Sequence, residues 1–205
     1  MPPHFHAVKA DVRRGLAEER DEDWLACLAR LEERPAREIV NPLLACLPLG
    51  GRSTRRAAAA LGRAVARMAG EDSLEAARNM VRRLMWQMNE ESGNIGWGVP
   101  EAFAEILACH PRLAEEFHRI LLSYIRKTDK DDNYCDHAVL RRSCFWAAGH
   151  LAQARPELAA TGRDALVAGL SDEDPECRQE AAAALHILDS ASAPSASGKT
   201  LSGKK

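Results

Sequence analysis

The sequence predicts an all-α fold, a right-handed solenoid of about five stacked helix pairs. Three observations carry this. Apolar residues recur with a helical period almost everywhere, and no stretch alternates as a half-buried strand would. Alanine and arginine, both good helix formers, dominate the interior, while aromatic residues are sparse at 5% of the chain. Four stretches share one pattern: RSTRRAAAALG from Arg52, GVPEAFAEILA from Gly98, VLRRSCFWAAG from Val139 and ECRQEAAAALH from Glu176. Aligning Leu61, Leu107, Ala148 and Leu185 gives steps of 46, 41 and 37 residues, the period of a helical repeat array.

Each of these stretches follows another apolar-periodic helix, so the units are helix–turn–helix pairs. The predicted pairs are 36–48 with 53–69, 74–90 with 99–110, 112–126 with 137–153, and 157–170 with 175–188, behind an N-terminal cap pair at 7–18 and 23–33. One pair cannot bury its apolar stripe alone, but stacked neighbours can. Residues 1–188 therefore read as one repeat domain. Residues 189–205, ending in SGKK, hold too little apolar surface to order themselves and are expected to form a disordered tail.

A net charge of -2 over 205 residues gives no global attraction to nucleic acid or an anionic membrane. No apolar run approaches the roughly 18 to 20 residues of a membrane span, and the N-terminal MPPHFHAVKADVRR lacks the apolar core of a secretory signal. Six cysteines (27, 46, 109, 135, 144 and 177) are scattered without a C-x-x-C pair. Five of them sit in apolar helical patterns, as small buried hydrophobes would, which points to a reducing cytoplasm.

The segment DPECRQEAAAALH, Asp174 to His186, resembles the second helix of a HEAT-like repeat of the phycobilisome-lyase type. There an acidic turn precedes a Val-Arg-x-x-Ala-Ala-x-Ala-Leu-Gly pattern. The Val-Arg positions are Cys177-Arg178 and Leu140-Arg141 in two units, but Ser53-Thr54 and Val99-Pro100 in the others. In the Arg52–Arg56 unit the arginines come one residue later, which breaks any continuous arginine ladder. The resemblance covers about residues 36–188, and the chain is similar to bacterial HEAT-repeat proteins carrying a comparable Gly-Ile-Gly-Trp-Gly segment. It implies a fold and says little about chemistry.

Candidate chemistry lies in two long turns between the first (A) and second (B) helices of adjacent units, 89–99 and 127–137. Stacked repeats are spaced by roughly 10 Å, so these turns are expected to meet. They bring together Asn89, Glu90, Glu91, Asn94, Trp97 and Glu101 with Asp132, Asn133, Tyr134 and His137, and Arg141 stands just beyond. Long turns carrying aromatic and amide groups on a rigid scaffold are where binding sites concentrate. Turn geometry accounts for other letters: Gly93 as the left-handed helix end, Pro100 in a first helical turn, Trp97 as a staple, and Gly96 and Gly98 as the tight path around the indole. Asp136 is expected to cap the helix starting near His137.

No metal or cofactor is predicted. The acidic turn DKDDNYCDH lacks the glycine and distal glutamate of an EF-hand. Cys144 stands two turns beyond His137, about 10 Å away and too far to share a zinc ion. His110 and His118 are expected at the surface, and His150 and His186 in the core or an interface. The paired His-Glu motifs of HEAT-like di-iron hydroxylases are missing, and no nucleophile elbow is present.

The reading that follows is a non-catalytic protein- or peptide-binding scaffold. It would use the concave B-helix face and the ridge of the two turns, and a basic partner segment would suit the acids. The alternative is a HEAT-like nucleic-acid-binding or base-excision enzyme. That reading relies on arginines 52, 55, 56, 63, 67, 82, 83, 141, 142 and 178, on Trp86 or Trp97 for stacking, and on Glu91 or Asp132 as the acid. Trp146 reads as core.

Overall fold

The computed structural model describes residues 3–89, 95–129 and 133–192. Its helices are α1 (Pro3–Leu16), α2 (Asp21–Glu32), α3 (Ala36–Leu44), α4 (Gly51–Glu71), α5 (Leu74–Met88), α6 (Val99–Cys109), α7 (Pro111–Ser123), α8 (Ala138–Ala154), α9 (Pro156–Ala159), α10 (Arg163–Gly169) and α11 (Pro175–Ser192). No strand occurs among the described residues. The protein is an all-α solenoid, with α1/α2 as the first pair and α9–α10/α11 as the last.

Local chemistry sets the helix boundaries. Ser73 accepts a hydrogen bond from the Ala76 amide and so caps α5. His110 caps α7 through the Leu113 amide, and one Asp174 carboxylate oxygen accepts from the Glu176 and Cys177 amides at the start of α11. The predicted helix 36–48 stops at Leu44, and Leu47–Leu49 tightens into a 3₁₀ turn around Pro48, which has no amide hydrogen to donate. The predicted helix 157–170 is broken by a 3₁₀ turn at Ala160–Gly162. There a β-carbon on Gly162 would lie 2.8 Å from Leu122 Cδ2, so the break seats Leu122 of α7. The first helix begins earlier than expected, at Pro3, and the last runs past 188 to Ser192.

The four aligned positions, Leu61, Leu107, Ala148 and Leu185, are all buried. They lie on α4, α6, α8 and α11, the B helices, which pack side by side in that order. One of these contacts needs glycine and another is tight. A β-carbon on Gly62 of α4 would lie 2.8 Å from the Glu105 backbone of α6, and one on Gly149 of α8 would lie 3.2 Å from Ala184 of α11.

The A helices are less intimate. α5 packs on α4 and α6, and α7 on α6 and α8. α5 and α7 are joined near one end by Arg78, which meets both carboxylate oxygens of Glu116 at 2.7 and 2.6 Å. That paired guanidinium pulls the Glu116 carboxyl down to about 2.

Two burial expectations are corrected. His118 is buried, not at the surface, because its Nδ1 donates to the Ala114 carbonyl of its own helix at 2.9 Å. Cys109 is exposed, whereas Cys135, which lies in a turn, is buried together with Cys27, Cys46, Cys144 and Cys177. Among the described residues, no helix is long and apolar enough to cross a membrane.

Gly62→Val is expected to destabilise the protein by about 1–3 kcal/mol, because α4 and α6 must separate. Gly70→Ala, in the same helix with nothing within 4 Å of its β-carbon position, is expected to stabilise by up to about 1 kcal/mol. Urea denaturation of the two variants checks the contrast.

Candidate functional site

The turn entering α6 is shaped by its glycines. Gly98 takes φ +75°, and a β-carbon there would lie 2.7 Å from both the Leu47 carbonyl and Thr54 Cγ2. Gly96 passes so close to the end of α5 that a β-carbon would lie 2.9 Å from the Gln87 carbonyl. Between them, Trp97 is pushed outward and is 36% exposed. Its indole reaches sideways to the next unit and meets His137 edge-on, with ring centroids 5.4 Å apart and planes at 88°. The two long turns therefore meet, as the repeat spacing predicts.

His137 is itself held. It caps α8 by accepting the Leu140 amide on Nδ1 at 3.4 Å, so the cap is His137 and not Asp136. A short imidazole can take this role because its Nδ1 lies as close to the backbone as an aspartate oxygen would.

The rest of the second turn is clasped by Arg141, buried at 6% exposure. One Nη donates to the Cys135 and Asp136 carbonyls, both at 2.9 Å. Nε and the other Nη bind the two oxygens of Asp172 at 2.8 Å each, in the turn before α11. Arg141 was expected to face a partner. With all three nitrogens engaged inside the protein, it positions the turn instead. Tyr134 lies against this clasp, with the Arg141 guanidinium 5.2 Å and the Lys127 ammonium 5.5 Å from its ring centre. Asn133 donates to the Ser123 hydroxyl at 3.1 Å.

Glu101 is also turned inward. Ser143 of α8 donates to its Oε1 at 2.8 Å, tying α6 to α8, while its Oε2 is buried without a partner. Asn89 is exposed at the end of α5. Glu90, Glu91, Asn94 and Asp132 lie outside the described residues.

Behind the joined turns, a cavity of about 790 Å³ opens between the C-terminal halves of α5 and α7. Asn89, Asn133, Tyr134 and His137 line it. So do Met85, Trp86, Met88, Ile95 and Ile120, of which Trp86 had a reading only as a base-stacking platform and the others had none. Trp86 is the most exposed large apolar residue described, at 60%, and Ile95 follows the same pattern at 45%. The usable signal was three apolar residues, Met85, Trp86 and Met88, crowding the last turn of one helix.

Most of the arginines named for the alternative reading are engaged within the fold. Arg56 is buried and binds Asp21 and the Glu18 carbonyl. Arg63 pairs with Glu32, Arg67 with Glu71, Arg82 with Glu75, and Arg142 with Asp174 and Glu176. Arg52 and Arg178 bond backbone carbonyls, and Arg83 bonds Asn41. On the B-helix face, burial pushes the Glu180 carboxyl up while Arg55, from α4, pulls it down. The centre of this face holds Trp146 stacked on His150 at 5.1 Å, with Glu105 3.3 Å from the imidazole. Trp146 is half-buried and packs against the core, as expected. His186 is exposed, not in the core.

Among the described residues, no group of three or more His, Cys, Asp or Glu side chains could hold a metal ion. No family model matches the chain, and no curated protein sequence does. Among solved structures, the chain is similar to a designed armadillo repeat protein, with 18% identity and a TM-score of 0.44 over 89% of this chain and 82% of that one.

Replacing Arg141 with methionine leaves Asp172 and two turn carbonyls buried without their donor, and is expected to cost about 3–5 kcal/mol. The Arg141 guanidinium holds the Asp172 carboxyl below the usual carboxylate range. The stabilisation this carries is complete above the unfolded aspartate's value of about 4 and is lost as pH falls below it. Thermal melts from pH 7 to pH 3 should therefore fall more steeply for the wild type than for Arg141→Met.

Proposed function

We propose that this protein is a non-catalytic scaffold of HEAT-like repeats that binds a protein or peptide at the corner where its two long A–B turns meet. The observation that carries this is the Trp97–His137 contact at the edge of the 790 Å³ cavity with exposed Trp86. A groove of this size, lined by aromatic and methionine side chains with a few polar groups around it, has the chemistry of a recognition site. Trp97 and Trp86 are the principal contacts, with Asn89, Asn133, Tyr134 and His137 around them. Glu90, Glu91, Asn94 and Asp132 remain candidates on the sequence alone. The concave face is secondary, since Trp146 and His150 already stack on one another there. Six free cysteines suit the reducing, cytoplasmic setting proposed for the protein.

The nucleic-acid alternative loses its main support. Phosphate binding would have to break the internal arginine pairs, and the resulting face would still carry their acids.

Trp86→Ala and Trp97→Ala are each expected to change stability by no more than about 1 kcal/mol, because neither side chain is fully buried. Both should abolish capture of partners from a host extract by the immobilised protein. A loss of several kcal/mol with capture unchanged would make Trp97 a structural staple and end the corner reading. Retention on DNA that weakens steeply with salt would favour the alternative instead.

A further inference from the structure

The groove between α5 and α7 has a direction and a charge as well as a lining. α5 contributes Arg82, Met85, Trp86 and Asn89, positions i, i+3, i+4 and i+7 of one face. That face is about 10 Å long at 1.5 Å per helical residue, room for two turns of a second helix. Ile120 and Tyr124 of α7 form the opposite wall. Methionines at 85 and 88 let the walls adjust to the apolar side chains of an incoming segment.

The polar end of the groove carries an exposed carboxylate and two helix C-termini. α5 and α7 run the same way, so the negative ends of both helix dipoles finish beside the cavity. Asp136 is exposed on the same lining. Among the described residues, Arg82 of the lining is paired with Glu75 and Asn79, and Lys127 sits over Tyr134. An anionic segment would meet two helix C-termini and the exposed Asp136 carboxylate.

We infer that the α5–α7 groove takes a short amphipathic cationic helix from a partner protein. Its apolar face lies against Trp86, Met85, Met88 and Ile120, and a lysine or arginine meets the helix C-termini and Asp136. This rests on the corner reading and specifies its partner. A single helix face would supply both parts, since residues three and four apart lie together while a flanking position carries the charge.

The test uses the full chain and three fluorescein-labelled synthetic peptides, read by fluorescence anisotropy. One places leucines at i, i+3, i+4 and i+7 with lysines elsewhere; the second replaces lysine with glutamate; the third scrambles the first. The amphipathic lysine peptide is expected to bind saturably, with the other two at least about tenfold weaker. Trp86→Ala should weaken it about tenfold, as loss of a central aromatic contact does. Asp136→Lys should weaken it several-fold and flatten its salt dependence.

Equal binding of the scrambled peptide, or tighter binding of the glutamate peptide, overturns the inference. So does competition at equal affinity by a peptide of the chain's own residues 193–205, which would make the tail the occupant. Dimerisation of the wild type that Trp86→Ala abolishes, seen by sedimentation, would assign the groove to a second copy and overturn it too. If the lysine peptide fails while Trp86→Ala and Trp97→Ala still abolish capture from extract, the corner reading stands and only this partner class falls.

Discussion

The solenoid depends on how closely its B helices approach. Gly62 against the Glu105 backbone leaves no room for a side chain, and Gly149 against Ala184 leaves little. Alanines at 57, 58, 60, 64, 147, 148, 181 and 184 are buried around them. Such small residues bury little apolar area each, but they allow many backbone contacts at short range. Packing that is tight on the B side and looser on the A side bends the stack.

On this frame, one arginine clasp recurs. Arg141 bonds the carbonyls six and five residues before it, Cys135 and Asp136, and Arg178 does the same to Asp172 and Glu173. In α4 the equivalent position is Thr54, whose hydroxyl donates to Leu47. In α6 it is Pro100, which has no such donor. The turn before α6 is held by other means, with Gly96 pressed on the end of α5 and Trp97 leaning on the neighbour's His137. The two long turns thus support one another, and the clasp on the second fixes the His137 cap that the first rests against. The arginine of the Val-Arg pattern has a structural task in the two units that keep it.

Periodicity made the fold legible. The aligned Leu61, Leu107, Ala148 and Leu185 are all core, and each predicted pair exists. Helix ends were less legible where a contact remote in sequence decides them, as when Leu122 breaks the chain at Gly162. That the two long turns meet was legible because repeat spacing alone puts adjacent turns together. The roles of its members were not. Arg141 and Glu101 carry charges that a sequence reader turns outward, yet Asp172 and Ser143, each more than 30 residues away, draw them in. His118 was misplaced for a related reason, since a histidine can satisfy one ring nitrogen on its own helix and be buried at little cost. Cys109 and Cys135 exchanged expectations because a helix end is more open than a turn stitched down by an arginine.

The groove follows from the same bend. Helices spread on the outside of a curve leave space between them unless long side chains fill it. Near the start of α5 that space is closed by Arg78 and Glu116, a bidentate pair whose geometry holds the two helices at a fixed distance. At the other end, Met85, Trp86 and Met88 line the open cavity together with Ile120 of α7. A protein needing only a stable stack could fill this gap with a larger side chain at Ile120, or remove the exposed indole, with no cost to the B-helix packing. Leaving a tryptophan 60% exposed beside an open cavity forgoes burial worth about 2 kcal/mol or more. That forgone burial is what a partner covering the indole would recover, which is why the proposed contact falls there.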